Sequence, residues 1–239
     1  MNSLNILSGG AAQGLVASLA SAFRAETGFD IAGEFGAVGV MAEKLRKGTP
    51  TDIVILTSAL LAKLAEERLV VATSITDVGL VETALAVRTG DPLAAAGDAT
   101  DLREALLASD AIFVPDIKAS TAGIHVANVL QQLGIADEVA ARLRIFPNGA
   151  TAMRELAASE ARRPIGCTQS TEIISTKGVT LSGSLPPGCE LATMYTAGIT
   201  AAAAHPQQAQ DLIDLLTGAG QQQQRQRAGF ISGPNQAPT

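Results

Sequence analysis

Residues 4–23 read LNILSGGAAQGLVASLASAF, and this stretch decides the fold class. Leu4–Ser8 reads as a strand, and Gly9-Gly10 is a turn signal. Leu15, Leu19 and Phe23 then recur at four-residue spacing, which is the period of one helix face. A strand followed by a glycine turn and a helix is the repeating unit of α/β proteins.

The same alternation continues along the chain and predicts mainly parallel sheets flanked by helices. We predict strands over 4–8, 30–35, 52–56, 81–88, 111–114, 144–146 and 164–168. We predict helices over 11–27, 39–47, 58–67, 101–107, 123–133, 151–161 and 207–218, with 221–227 extending or fraying the last one. Two α/β lobes of roughly 100 residues each fit this pattern better than one large sheet.

Composition excludes several functions. The 239 residues carry 17 Lys and Arg against 23 Asp and Glu, a net charge of −6, and only 3% are aromatic, with no Trp. An acidic surface repels phosphate backbones, and few rings are available for base stacking, so nucleic acid is not an expected partner. An anionic ligand must therefore be held by local donors rather than by a general positive field.

The sequence offers no metal or cofactor motif and no membrane span. Cys167 and Cys189 form no CxxC pair, and the two histidines are far apart, so neither a metal site nor a cofactor is expected. No run of 18 apolar residues occurs. The segment ending Ala20-Ser21-Ala22 resembles a leader cleavage site but lacks a positive region before it. The protein is then either cytoplasmic or a secreted protein whose leader has been removed.

Four strand-to-helix turns are small and polar, which predicts helix N-termini able to bind an anion. They are Ser8–Ala11, Phe35–Gly39, Ser120–Gly123 and Asn148–Thr151. Small residues let the backbone approach a ligand closely, although such turns also serve tight packing alone. The GxxxxGK[ST], GxGxxG and GxSxG patterns are all absent from the sequence, so a P-loop, a dinucleotide site and a nucleophile elbow are disfavoured.

Several blocks, taken in order, resemble the type II periplasmic solute-binding proteins of the molybdate-binding family. They are LNILSGGAA (4–12), EFGAVGVMAEKL (34–45), GTPTDIVIL (48–56), STAGIH (120–125) and IGCTQ (165–169). The resemblance implies two lobes, residues 1–81 with 196–239 and residues 82–195, joined by hinge strands around a ligand cleft. It further implies a monomer that holds a small anionic ligand, serves an ABC-type permease and lies in the periplasm rather than the cytoplasm.

The resemblance also places the ligand-binding positions. A binding serine of that family falls near Ala11, another falls at Val38-Gly39, and the binding tyrosine falls on Gln169. The expected ligand contacts are Ser8, Gly10, Ala11, Val38, Gly39, Thr121, Ala122, Thr151, Arg154 and Gln169. Arg154 would clamp a carboxylate, or else it is an exposed helix residue.

These positions depart from the family in a way that bears on the ligand. Two serine hydroxyls and one tyrosine hydroxyl are missing, and each oxyanion lone pair left unpaired costs about 1–3 kcal/mol. Thr121, Thr151, Thr168 and Gln169 offer hydroxyl and amide donors that suit a planar carboxylate. We therefore expect an organic di- or tricarboxylate rather than molybdate.

An enzyme on the same fold is the alternative, because the fold group includes aconitate isomerases that need no cofactor. Such a reaction requires a base that moves a proton along an allylic system. His125 and Ser8 are the expected catalytic residues in that case, although His125 also suits helix packing. Lys118 is either a carboxylate partner or a solvated loop residue. Cys167 is either a nucleophile or a buried strand residue.

Overall fold

A computed structural model describes residues 2–94 and 96–231, which form two compact units. The first unit comprises the described residues of Met1–Val81 and Thr193–Thr239, and the second comprises those of Glu82–Ala192. Residues 232–239 of the first predicted lobe lie outside the described residues. Within the described ranges, every helix is too short or too polar to cross a membrane.

Nine strands and ten α-helices alternate along the described residues. They are β1 (Ser3–Gly9), α1 (Gln13–Thr27), β2 (Asp30–Gly36), α2 (Val38–Arg46), β3 (Ile53–Thr57), α3 (Ser58–Glu66), β4 (Thr76–Arg88), α4 (Ala99–Ala108), β5 (Ala111–Pro115), α5 (Thr121–Gln132), α6 (Ala136–Val139), β6 (Leu143–Phe146), α7 (Gly149–Ala158), β7 (Pro164–Gln169), α8 (Ser170–Ile174), β8 (Val179–Ser184), β9 (Ala192–Ile199), α9 (Pro206–Thr217) and α10 (Gln222–Arg227).

The first unit is a mixed sheet rather than a purely parallel one. Strand β1 pairs in parallel with β2 and β3, as the alternation predicts, but β9 joins β3 antiparallel. Strands β1, β2 and β3 therefore end at one edge, where α1, α2 and α3 begin. Its core packs α1 and α9 against the sheet through side chains that include Leu4, Leu15, Phe23, Ile53 and Leu212.

The buried carboxylate of Asp52 fastens three segments of the first unit together. Asp52 is 1% exposed, and its oxygens accept the peptide N–H groups of Asn5 and His205 at 2.8 and 2.9 Å. His205 precedes Pro206 at the start of α9, and its ring lies edge-on to Phe29 with the centroids 4.9 Å apart. His205 thus occupies the N-cap position of α9.

The glutamine-rich segment, predicted to extend or fray the last long helix, forms a separate short helix. A 3₁₀ turn over Ala219–Gln221 separates α9 from α10. Arg225 of α10 is buried, and its guanidinium donates to the carbonyls of Leu216 and Gly218 at 3.0 and 2.8 Å. The run is a separate helix anchored by one internal arginine, because those carbonyls at the end of α9 need donors.

The second unit also has a mixed sheet. Strand β5 pairs in parallel with β6 and β7, whereas β4 runs antiparallel to β7 and to β8. Strand β8 was not predicted, because its residues VTLSGS alternate only weakly. Alternate residues of β5 belong to two hydrophobic clusters. Ile112 and Val114 pack on one face of the strand, and Ala111 and Phe113 pack on the other. Strands β5, β6 and β7 end at one edge, where α5, α7 and α8 begin.

Candidate functional site

The turn after β1 uses its polar side chain locally. Ser8 is fully buried, and its Oγ donates to the Gly9 carbonyl at 2.9 Å. Gly10 and Ala11 form a buried 3₁₀ turn that leads into α1. Among the described residues, this turn gains no side-chain cap. The Ser8 hydroxyl retains the ability to accept a hydrogen bond, but its proton has a partner already.

Close packing joins three elements at this edge of the first unit. A Cβ on Gly9 would lie 2.8 Å from Cγ1 of Val38 and 2.9 Å from Cε1 of Tyr195. Glycine is therefore required where β1 passes α2 and β9. Val38 is buried and Gly39 half-buried at the start of α2, which Ala37 precedes without a side-chain cap from any described residue. The predicted contacts of the first unit thus gather at one edge of its sheet.

The start of α5 in the second unit is an uncapped helix N-terminus. Ser120 occupies the N-cap position, and no described side chain caps the helix there. Thr121 is half-buried and Ala122 is buried. A Cβ on Gly123 would overlap the carbonyls of Pro115 and Asp116, so α5 packs directly on the end of β5. The carboxylate of Asp116 shapes the turn by accepting the peptide N–H groups at 118 and 119.

The start of α7 has a different arrangement, because its donors are already used. The peptide N–H of Thr151 donates to Oδ1 of Asn148 at 2.8 Å. Oγ1 of Thr151 accepts a hydrogen bond from Nη2 of the exposed Arg154 at 2.9 Å. The two residues predicted here as ligand contacts therefore contact each other.

A buried carboxylate also occupies the α7 turn. Glu172 is 5% exposed and accepts the Thr168 hydroxyl at 2.6 Å. The peptide N–H groups of Gly149, Ala150 and Gln169 also favour the charged form of this carboxyl. Burial raises the pKa of the Glu172 carboxyl, while these hydrogen bonds act in the opposite direction. The fourth predicted anion site thus already holds a carboxyl group of the protein.

Gln169 lies beside this carboxylate with its own amide unused. The side chain is 3% exposed, and neither Oε1 nor Nε2 has a partner among the described residues. Thr83 is its cross-strand neighbour in the β4–β7 register, and the Thr83 hydroxyl is likewise buried and unpartnered in the described chain. The same holds for the Thr171 hydroxyl. Unpaired buried polar atoms are uncommon and call for an explanation, such as a ligand.

His125 and the cysteines occupy ordinary structural surroundings in the second unit. Nε2 of His125 lies 2.8 Å from the carbonyl oxygen of Cys189, so Nε2 carries the proton and Nδ1 keeps a lone pair. Neither cysteine is in a disulfide within the described chain. Burial raises the pKa of the Cys167 thiol to about 12, so this thiol stays protonated and does not act as a nucleophile. Lys118 is exposed.

The structure keeps the predicted residues near the edges where the parallel strands of each unit end. Ser8, Gly10, Ala11, Val38 and Gly39 lie at the edge of the first unit, and Thr121, Ala122, Thr151, Arg154 and Gln169 lie at that of the second. Their roles as ligand contacts stay predictions. Glu172, Thr83 and Thr171 were missed, since an acidic residue in a helix and a threonine in a strand are ordinary surface patterns until their burial is known.

Comparison with known proteins gives the family and the fold. The family described as "Bacterial extracellular solute-binding protein" matches residues 4–231. An aconitate isomerase from a Pseudomonas species is 24% identical over 227 residues, which are 90% of this chain and 82% of that protein.

Two solved structures share the fold. The periplasmic molybdate-binding protein of Azotobacter vinelandii superposes with a TM-score of 0.81 at 18% identity, covering 96% of this chain and 99% of its own. The substrate-binding domain of a putative molybdenum ABC transporter from Clostridium difficile gives 0.67 at 16% identity, covering 98% of this chain and 100% of its own.

Proposed function

The chain belongs to the bacterial extracellular solute-binding protein family, and on that premise we propose that it binds an organic di- or tricarboxylate. The observation that carries this proposal is the buried Gln169 amide, whose two polar atoms have no partner among the described residues. An unsatisfied buried polar group costs about 1–3 kcal/mol, which a ligand that bonds it would recover.

The available donors suit a carboxylate better than a tetrahedral oxyanion. The Gln169 amide and the Thr83 hydroxyl are neutral donors, and the α5 N-terminus adds peptide N–H groups with a favourable dipole. The Ser8 hydroxyl already donates a hydrogen bond to the Gly9 carbonyl, so it is not a free hydroxyl donor for the oxygens of molybdate.

Ligand panels measured by thermal shift and calorimetry test this proposal. We expect trans-aconitate or citrate to raise the melting temperature, and molybdate and sulfate to leave it unchanged. Gln169→Leu should weaken carboxylate binding at least tenfold, because it removes the amide and keeps the volume. Gln207→Leu is the matched control, since Gln207 is exposed on α9. Stabilisation by molybdate alone would refute the proposal.

Isomerisation of aconitate is the second candidate function, and the relative that is 24% identical across 90% of this chain favours it. A base removes a proton from the methylene group of trans-aconitate and leaves an allylic carbanion conjugated with a carboxylate. The same group returns the proton at the former vinyl carbon, so the double bond moves and no net proton is consumed. Nδ1 of His125 has the lone pair for this task.

Proton NMR of trans-aconitate in D2O separates the two functions. Appearance of the cis isomer with deuterium on carbon identifies an isomerase, and His125→Asn should then lower turnover at least a hundredfold. An unchanged spectrum together with a thermal shift identifies a receptor. As a receptor, we propose that the protein acts as a monomer in the periplasm and delivers its ligand to an ABC-type permease. Fractionation of the source cells tests that placement.

A further inference from the structure

Glu172 has the burial and the contacts of a bound anion. Its carboxylate accepts a hydrogen bond from the Thr168 hydroxyl, and the peptide N–H groups of Gly149 and Ala150, the first residues of α7, also favour its charged form. Helix α7 has ten residues, so its N-terminus carries a full dipole that favours negative charge. A carboxylate from the protein thus holds the position where an anionic ligand would bind.

Gly149 shows how closely the turn is fitted to this group. A Cβ at that position would overlap both the Glu172 carboxylate and the Thr168 hydroxyl. The turn therefore needs glycine because the carboxylate is there. Groups of the protein itself therefore fill this turn, and no room remains there for a second carboxylate or another anion.

The unused polar groups lie next to this filled position. Gln169 gives its peptide N–H to Glu172, while its side-chain amide, more than nine-tenths buried, has no partner among the described residues. Thr83, its neighbour across the β4–β7 pair, also has an unpartnered hydroxyl within the described chain. The second unit thus presents one satisfied donor set and, beside it, one unsatisfied set.

We propose that Glu172 is a specificity-determining residue, which fills the anion position at the start of α7 and so leaves the ligand to Gln169, Thr83 and the start of α5. This inference rests on the proposed function of carboxylate binding. Glu172 excludes small inorganic anions from the α7 turn by occupying it. The ligand is then selected by neutral donors, which a planar carboxylate can satisfy.

Removal of the carboxylate tests the proposal by chemical rescue. Glu172→Ala leaves the Thr168 hydroxyl and the start of α7 around an empty position of carboxylate size. We expect 50–100 mM formate, a free carboxylate, to raise the melting temperature of this variant and not that of the wild type. Ile173→Ala is the matched control, because Ile173 is the next residue, is 1% exposed and has no polar contact to replace. Equal responses of the two variants to formate would overturn the proposal.

Sulfate gives a readout that a purely structural role would not change. Its affinity, measured by calorimetry, should be at least tenfold higher for Glu172→Ala than for the wild type and unaltered in Ile173→Ala. Rescue by formate without a gain in sulfate affinity would make Glu172 a helix cap only and overturn its role in specificity. Both measurements are independent of trans-aconitate. If no carboxylate binds to the wild type, the proposed function is refuted. The formate and sulfate measurements still test the role of Glu172 separately.

Discussion

The starts of α5 and α7 are built alike and used differently. Each helix follows a strand of the same parallel set, begins with small residues and needs a glycine for close packing. Among the described residues, no side chain caps α5, whereas Asn148 and Glu172 satisfy the donors of α7. A small polar turn before a helix therefore specifies a place for an anion, and the rest of the fold decides whether the protein or a ligand supplies it.

The largest expected effect comes from Gly149→Ala. The added Cβ overlaps the Glu172 carboxylate, and overpacking of this kind costs about 3 kcal/mol. In a Glu172→Ala background the overlap with the carboxylate is gone and only the Thr168 hydroxyl still obstructs the Cβ, so the double variant should lose at least about 1 kcal/mol less than the sum of the single changes. Urea unfolding of the four proteins measures this coupling. Additive losses would mean that Gly149 does not depend on the carboxylate.

Two strand threonines sharpen the comparison. Thr168 and Thr83 are both buried, but only Thr168 has a partner for its hydroxyl among the described residues. Thr168→Val should cost about 2 kcal/mol, because a buried carboxylate loses a donor. Thr83→Val should leave the free energy of unfolding unchanged or raise it by up to about 1 kcal/mol, while it weakens ligand binding. Equal losses of stability in the two variants would contradict the distinction between the satisfied donors around Glu172 and the unsatisfied donors around Gln169.

Substitution of the two N-cap residues should give a smaller difference in stability, again with the larger loss at α7. Asn148→Ala should destabilise the protein by about 1 kcal/mol, since Oδ1 of Asn148 accepts the Thr151 N–H. Ser120→Ala should change stability by less than half that amount, because Ser120 makes no side-chain cap bond within the described residues. Thermal unfolding of both variants without ligand makes the comparison. A loss at Ser120 equal to that at Asn148 would show that α5 is capped as well.

The smallest effect is a difference in pH dependence. The pKa of Glu172 is raised from its ordinary value of 4.5, so the folded state binds this proton more tightly than the unfolded state does. The stability contributed by the group is full below pH 4.5 and is lost as the pH rises through the raised pKa. Glu172→Gln cannot ionise and should lose less stability over this range than the wild type. Parallel curves from urea unfolding between pH 4.5 and 8 would contradict this expectation.

Much of the fold could be predicted from sequence because its signals are local. Glycine turns and helical spacing gave the parallel strands and the helices between them, and the family resemblance is confirmed. Strand β4 was predicted over 81–88 and residues 191–204 were predicted to be β-rich at first, but the antiparallel pairing of β4 and β9 and the whole of β8 were missed, since pairing between distant strands leaves no local pattern. Gln169 could be singled out by resemblance, whereas Glu172 could not, because its burial arises where α8 meets the distant start of α7.

The division of the first unit between two chain segments has a consequence for synthesis on the ribosome. Apart from the first residues of β4, which belong to the first unit, the second unit draws its strands from Glu82–Ala192 and is complete once that segment has emerged. The first unit must wait for β9 to cover the edge of β3, and the Asp52 carboxylate must wait for the peptide N–H of His205. The part of the protein that is translated first is therefore finished last. Until then, the nascent chain exposes an apolar strand edge. Chaperones bind such edges, and other chains pair with them during aggregation.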